Sequence, residues 1–401
     1  MVRRPAAPQG GCAGAAGRAR PPRPRPPAPA AHSIRMPSSQ PRLDTLSDVP
    51  NPTRQAPDAA PTPGNATTRF SNVALLSVAS TIPSRVTTSE DIEARLDTAL
   101  SRLRLKRGLL RRVAGVDARR NWGPGEDVDS ATVDAGRRAL AEAGVAAGDV
   151  GLLINTSVTR KHLEPSVAVR LHHELGLPTS AINFDIANAC LGFVNGMALA
   201  AGMIESGQIR HAIVVNGEDA DDIQTTTVER LLGEGIGRDD FLSEFATLTL
   251  GSGSAAAVLG RADERPDGHR VLGGVTRAAT QWHDLCVGSA EGMYTNAKQL
   301  LRGGLELVVS AWKEAAPDWQ WGSADRYITH QVSSVHTNAI VKAAKLDPAK
   351  VPTTFPRYGN VGPASIPITL AEEQASLRKG DRVLLMGVGS GLNTAMMELA
   401  W

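Results

Sequence analysis

From Thr68 onward the chain alternates apolar runs of strand length with amphipathic segments of helical period, and it does so twice. In the first pass "NVALLSV" from Asn72 reads as a strand and "TSEDIEARLDTALSRL" from Thr88 as a helix opened by a capping hydroxyl. "SATVDAGRRALAEAGV" from Ser130 is an amphipathic helix ending near Gly144, followed by the strand "VGLLINTSV". "AINFDIA" then leads into a very apolar helix at Cys190 that stops at Ser206 and Gly207, and "HAIVVNGEDA" and "GSGSAAAVLG" are two further strands. After about residue 268 the order recurs. "HRVLGGVTRAAT" is a strand, "YTNAKQLLRGGLELVVSAW" a helix, "RYITHQVSS" a strand end and "SVHTNAIVKAAKL" a helix. "PTTFPRYGNVGPASIPITLAEEQ" is expected to run from a strand through a glycine-rich loop into a helix, and "DRVLLMGVGSGLNTAMMEL" to form two strands around a Gly-Ser-Gly turn. Two such units stacked on each other give an α/β/α/β/α body. The expected units are residues 67–267 and 268–401.

Residues 1–66 break this pattern. They contain "RARPPRPRPPAPAA", no acidic residue before Asp44 and hardly any aliphatic run. Such a segment cannot bury enough apolar surface to offset the entropy of ordering it, so it is expected to be a disordered extension. An arginine-rich, acid-poor leader also has the composition of a transit peptide, and a start at Met36 is an alternative. A net charge of only +2 over 401 residues carries no footprint of a nucleic-acid partner. Three cysteines, Cys12, Cys190 and Cys286, form no C-x-x-C pair, which argues against a disulfide scaffold and a structural zinc site. No apolar stretch reaches the roughly 18 residues that a membrane helix needs without polar interruption. A cytoplasmic protein without a bound metal is the expectation.

Cys190 stands where a strand-like run meets a helix. A buried cysteine is ordinarily a small hydrophobe, but a thiol at a helix N-terminus faces backbone N–H groups that favour its thiolate. A cysteine nucleophile also needs a proton carrier and a cradle for an oxyanion. His330 follows the apolar "RYIT" at a strand end, and Asn360 lies between glycines in "YGNVGPAS". The turn at Gly389, Ser390 and Gly391 offers backbone N–H groups, with Ser390 and Gly391 as substrate-binding candidates.

The strings A-C-L-G-F around Cys190, T-H-Q around His330 and G-N-V-G-P-A-S around Asn360 resemble, in that order, the thiolase superfamily and its ketoacyl-ACP synthase III-like condensing enzymes. The resemblance spans about residue 70 to Trp401. The wording of "LLINTSVTRKHLEPS", "FDIANACLGFVNGM", "ITHQVSSVHT" and "GNVGPASIPITL" is most similar to the OleA family, which condenses acyl-CoA molecules at the start of bacterial olefin and β-lactone synthesis. The resemblance implies a duplicated thiolase fold, with Cys190 as the acylated nucleophile and His330 and Asn360 positioning the second thioester. It also implies a homodimer, acyl-CoA as substrate with no further cofactor, and downstream olefin- or β-lactone-pathway partners.

Malonyl-ACP makes its own carbanion by decarboxylation, whereas two plain acyl-CoA molecules require a base. Glu164 in "KHLEPSVA" matches the glutamate that OleA-like proteins reach across the dimer, and entry into an apolar pocket would raise its pKa toward useful base strength. The reaction implied is a non-decarboxylative Claisen condensation to a 2-alkyl-3-oxoacyl product. The alternative is a ketoacyl-ACP synthase III joining acyl-CoA to malonyl-ACP. The arginines of "RLKRGLLRRVAG" and "DARRNW" are candidates to hold CoA phosphates, and Trp122 to stack on adenine. Cys286 reads as a small half-buried residue, with the acyl-channel wall as the alternative. His172 and His173 are adjacent on a helix and point in different directions, and His330 with His336 lacks a recognisable metal spacing.

Overall fold

Successive residues of the central strands point to opposite sides, and both sides are covered. The computed structural model describes residues 67–289 and 292–401; the expectations for residues 1–66 lie outside them. The principal strands are β1 (Val73–Thr81), β2 (Val150–Asn155), β3 (Ile182–Asp185), β4 (His211–Glu218), β5 (Gly253–Arg261), β6 (His269–Ala278), β7 (Arg326–Thr329), β8 (Arg382–Gly389) and β9 (Asn393–Ala400). Their order is β7-β8-β9-β6-β1-β5-β4-β2-β3, with the short strand Thr67–Arg69 added on β6.

The pairing repeats as the sequence does. β1–β5 and β5–β4 are antiparallel and β4–β2 parallel; β6–β9 and β9–β8 are antiparallel and β8–β7 parallel. The two sets meet where β1 and β6 pair over two residues, Ala74 with Arg270 and Leu75 with His269. The first set carries one extra strand, β3, parallel to β2 at the edge.

Period-2 alternation sorts the side chains into three layers of core. Leu152 and Ile154 of β2, Ala212 and Val214 of β4, Leu385 of β8 and Ala395 and Met397 of β9 join a central core with helices α3 (Gly192–Glu205) and α6 (Ser365–Glu373). Leu153, Ile213 and Val215 point the other way, onto α1 (Val128–Ala143) and α2 (Val167–Glu174). Leu384, Met386 and Met396 do the same toward α4 (Ala297–Ala315), with α5 (Ser334–Ala344) beside it. The result is the five-layer α/β/α/β/α arrangement of the thiolase fold. α3 can lie between two sheets because Phe193, Val194, Met197, Ala200, Ala201 and Ile204 are all buried, and a helix apolar nearly all round has nowhere else to go.

The punctuation read at Thr88 and Gly144 holds, and the helix expected from Ser130 begins two residues earlier, at Val128, behind the cap Asp127. Thr88 closes a capping box with Asp91, Asp127 caps α1, and Gly144 at φ +61 ends it. One expectation fails: the strand expected before the glycine-rich loop is a short helix, Phe355–Tyr358, with Pro356 in its first turn. Proline has no N–H to give a ladder but fits the start of a helix. No described helix is long and apolar enough to cross a membrane.

Candidate active site

The turn between β3 and α3 is built for exposure of one side chain. Ala189 takes φ +43, a left-handed conformation rare for a residue with a Cβ, and Leu191 and Gly192 donate back to Asn188 and Ala189 at 3.0 and 3.2 Å. Cys190 is thereby held two residues before the helix, half-buried, on the wall of a cavity of about 870 Å³. The β8–β9 hairpin closes over this turn. A Cβ on Gly389 would sit 3.2 Å from the Asn188 carbonyl, so a side chain there would push hairpin and turn apart by a few tenths of an ångström. Asn393 Nδ2 donates to Asn188 Oδ1 at 3.3 Å, and Asn188 Nδ2 to Asn195 at 2.6 Å, tying hairpin, turn and helix together.

His330 and Asn360 open onto the same cavity. His330 directly follows β7, its backbone N–H continuing the ladder to Met386 at 2.8 Å. Its ring is buried, and Nδ1 has no hydrogen-bond partner among the described groups. Asn360 is fixed from both sides of its backbone, donating to Thr249 and accepting from Gly251, each at 2.9 Å. Its Oδ1 accepts from the Gly362 N–H at 3.0 Å. An N–H can face only an acceptor, so this bond sets the amide's orientation and leaves Nδ2–H₂ to donate elsewhere. Gly359, at φ +71, makes the approach possible: a Cβ there would lie 2.6 Å from the Thr249 carbonyl.

Ser390 lines the cavity; Gly391, at φ +109, turns the hairpin and is not part of the wall. Cys286 is half-buried and on the wall. Glu164 is exposed and does not line the cavity of its own chain, although its neighbours Arg160 to Leu163 do. The far wall, with Leu301, Leu305 and Val308 of α4 and Ile340 of α5, is apolar. Its volume is near the top of the range of about 300–1,000 Å³ typical of small-molecule sites.

The electrostatics correct one expectation. Burial pushes the Cys190 thiol up to about 12, with Cys286 and Glu218 nearby adding to the effect. The N–H groups of Leu191 and Gly192, which could have favoured a thiolate, are already spent within the turn. Cys190 is therefore a neutral thiol at rest, so any attack by its sulfur would require loss of that proton. Burial likewise depresses His330 to about 3, with His336 nearby lowering it further, and His336 to about 4. Both rings are neutral at pH 7; His336 Nδ1 shares a 2.8 Å hydrogen bond with Ser333 Oγ.

A carboxylate the sequence did not single out lines the same cavity. Glu218, at the end of β4, is pushed up to about 7 by burial, against the hydrogen bonds that favour its charge. The two expectations for CoA contacts from "DARRNW" are not met at Arg119 and Trp122. Arg119 is fully buried, with Nη1 donating to Ser89 Oγ at 3.2 Å, and Trp122 is buried with Nε1 donating to the Glu218 carbonyl at 3.0 Å. Neither presents a face to a ligand.

These shifts set a pH dependence of stability. His330 and His336 are depressed below the usual 6.5, so their contribution is present above 6.5 and lost as the pH falls toward 4 and 3. Glu218 is raised from 4.5 to about 7, so it regains stability as the pH falls through that window. Two losses oppose one gain. The melting temperature should fall between pH 7 and pH 5, and His336→Leu should flatten the slope; a melting temperature that rises over that interval contradicts this assignment.

Residues 184–278 match the family of 3-oxoacyl-[acyl-carrier-protein] synthase III, and residues 315–401 its C-terminal part. An acyl-CoA:acyl-CoA alkyltransferase of Xanthomonas campestris pv. campestris is 43% identical over 336 residues, covering 83% of this chain and 99% of its own. One of Shewanella oneidensis is 33% identical over 355 residues, covering 83% and 100%. A crystal structure of Xanthomonas campestris OleA with bound lauric acid and lauroyl-CoA superposes with a TM-score of 0.80 at 42% identity, covering 83% of this chain and 100% of that one. A duplicated five-layer fold, a cysteine turn under a glycine hairpin and this degree of likeness place the chain among the acyl-transferring condensing enzymes of the thiolase superfamily, in the ketoacyl-ACP synthase III-like group that includes OleA.

Proposed function

We propose that the protein joins two long-chain acyl-CoA molecules, without decarboxylation, into a 2-alkyl-3-oxoacyl thioester. The observation that carries this reading is one largely apolar cavity onto which Cys190, His330 and Asn360 all open. In the first step Cys190 sulfur attacks the thioester carbonyl; the S–C bond to CoA breaks, and the thiol proton departs with CoA as CoASH. One thioester replaces another, so the step is close to neutral in free energy. The backbone N–H of Cys190 and one from the Ser390 turn bind the oxyanion.

In the second step a base removes an α-proton from another acyl-CoA. The resulting carbanion attacks the acyl-cysteine carbonyl, the C–C bond forms, and the C–S bond to Cys190 breaks with return of a proton to sulfur. His330 and Asn360 Nδ2 donate to the enolate oxygen of the incoming thioester. Glu164 is the base, and it acts on the partner subunit's cavity. Its exposure outside its own cavity supports this, as do Leu163, 91% exposed beside it, and the edge strand β3, where Ile182 is 47% exposed. An open sheet edge with apolar residues around it is a surface that a second copy covers.

Glu164→Ala tests the assignment. Condensation should fall by about 10²–10⁴, the usual contribution of a general base, while acylation of Cys190 in a single turnover persists. Equal activity with and without Glu164, together with product formed only when malonyl-ACP is added, would instead support the decarboxylating reaction that the synthase III family match suggests.

A further inference from the structure

Glu218 is buried, only 4% exposed, at the last position of β4, and no cation is among its hydrogen-bond partners. Four donors converge on it. Oε1 accepts from Val158 N–H at 2.8 Å and from Asn216 Nδ2 at 3.2 Å; Oε2 accepts from Thr159 N–H at 3.0 Å and Thr159 Oγ1 at 2.8 Å. Each oxygen thus accepts two hydrogen bonds from the protein itself, and the carboxylate is engaged in holding these donors although the residue lies on the cavity wall. Thr159 Oγ1 is itself fixed, accepting from the Asp219 N–H at 2.9 Å.

Val158 and Thr159 begin the loop that runs along the cavity to Glu164. Beyond them the loop leans on longer ion pairs, Arg160 to Asp185 at 3.7 Å and Lys161 to Asp127 at 3.4 Å, the second of them exposed. Exposed pairs of that kind fix little. The carboxylate is therefore the firm end of the loop.

We propose that Glu218 is a positioning residue for the condensation step: its buried carboxylate fixes Val158 and Thr159, and through them the loop that presents Glu164, without touching substrate. This rests on the reading of Glu164 as the base. A carboxylate is required because only it offers two acceptor oxygens; the amide of glutamine would set an NH₂ against a backbone N–H.

The test is a double-mutant cycle with hydrogen exchange. Glu218→Gln should speed exchange at the Val158 and Thr159 amides by about tenfold or more, and lower condensation by about tenfold or more while acylation of Cys190 changes less than about threefold. In a Glu164→Ala background the same substitution should cost nothing further. Thr159→Val, which removes one donor, should show the same pattern at smaller size and serves if Glu218→Gln does not fold. Unchanged exchange, loss of acylation in step with condensation, or losses that multiply in the double variant would each overturn the proposal. If Glu164→Ala alone leaves condensation intact, the reading of the base fails separately, and a faster-exchanging but fully active Glu218→Gln would overturn the positioning role as well.

Discussion

Replacing Cys190 with alanine should abolish both halves of the reaction: no acyl adduct on the intact protein, and a loss of product of at least about 10⁴-fold, the scale seen when a covalent nucleophile is removed. The variant should still fold. The thiol is a small half-buried group on a cavity wall, not a core side chain packed on every side, so its removal should cost no more than about 1 kcal/mol. A variant that melts with the wild type but takes up no acyl group separates chemistry from packing. Retention of an adduct would move the nucleophile elsewhere, and Cys286, on the same wall, would be the first residue to examine.

The second large effect concerns His330 and Asn360, the two donors proposed to meet the incoming thioester. His330→Ala and Asn360→Ala should each lower condensation by about 10²–10³, about 3–4 kcal/mol of transition-state stabilisation, in line with deleting one oxyanion donor. In that role His330 would serve as a neutral ring, since burial holds it near 3, and would offer an N–H and not a positive charge. Asn360 contributes through an amide locked by the Gly362 N–H. Because the two serve one oxygen, the double variant should lose less than the product of the single losses. Fully multiplicative losses would mean that they act on different steps.

Much of this was legible in the chain before the fold was known. Strand and helix alternation, the cap at Thr88, the helix end at Gly144 and the glycine hairpin at 387–391 are signals written within a few residues, and each maps onto the element it announced. Cys190, His330 and Asn360 were readable because each follows a strand or sits between glycines. Their convergence on one cavity was not. Glu218 had no local mark: what makes it unusual is Val158 and Thr159, about sixty positions away, donating into it.

The misreadings share one cause, which is that burial depends on the whole fold. Arg119 and Trp122 stand in a basic, polar-looking stretch, yet both are enclosed where that stretch passes beneath the loop of Asn360 and the end of β4. The thiol of Cys190 was expected to gain from a helix terminus. In the folded protein the nearest N–H groups are turned inward on Asn188 and Ala189, and desolvation decides the direction of the shift. In place of the strand expected before Asn360 stands a helix with Pro356 in its first turn, a signal that was present in the sequence.

In the proposed reaction two acyl-CoA molecules are joined through an acyl group on Cys190. The direct measurement is the mass of the product when the protein is given one long-chain acyl-CoA and nothing else. The expected product is a 2-alkyl-3-oxoacyl species containing two acyl chains, with one CoASH released for each condensation. No condensed product under those conditions, followed by rapid product once malonyl-ACP is supplied, would contradict it.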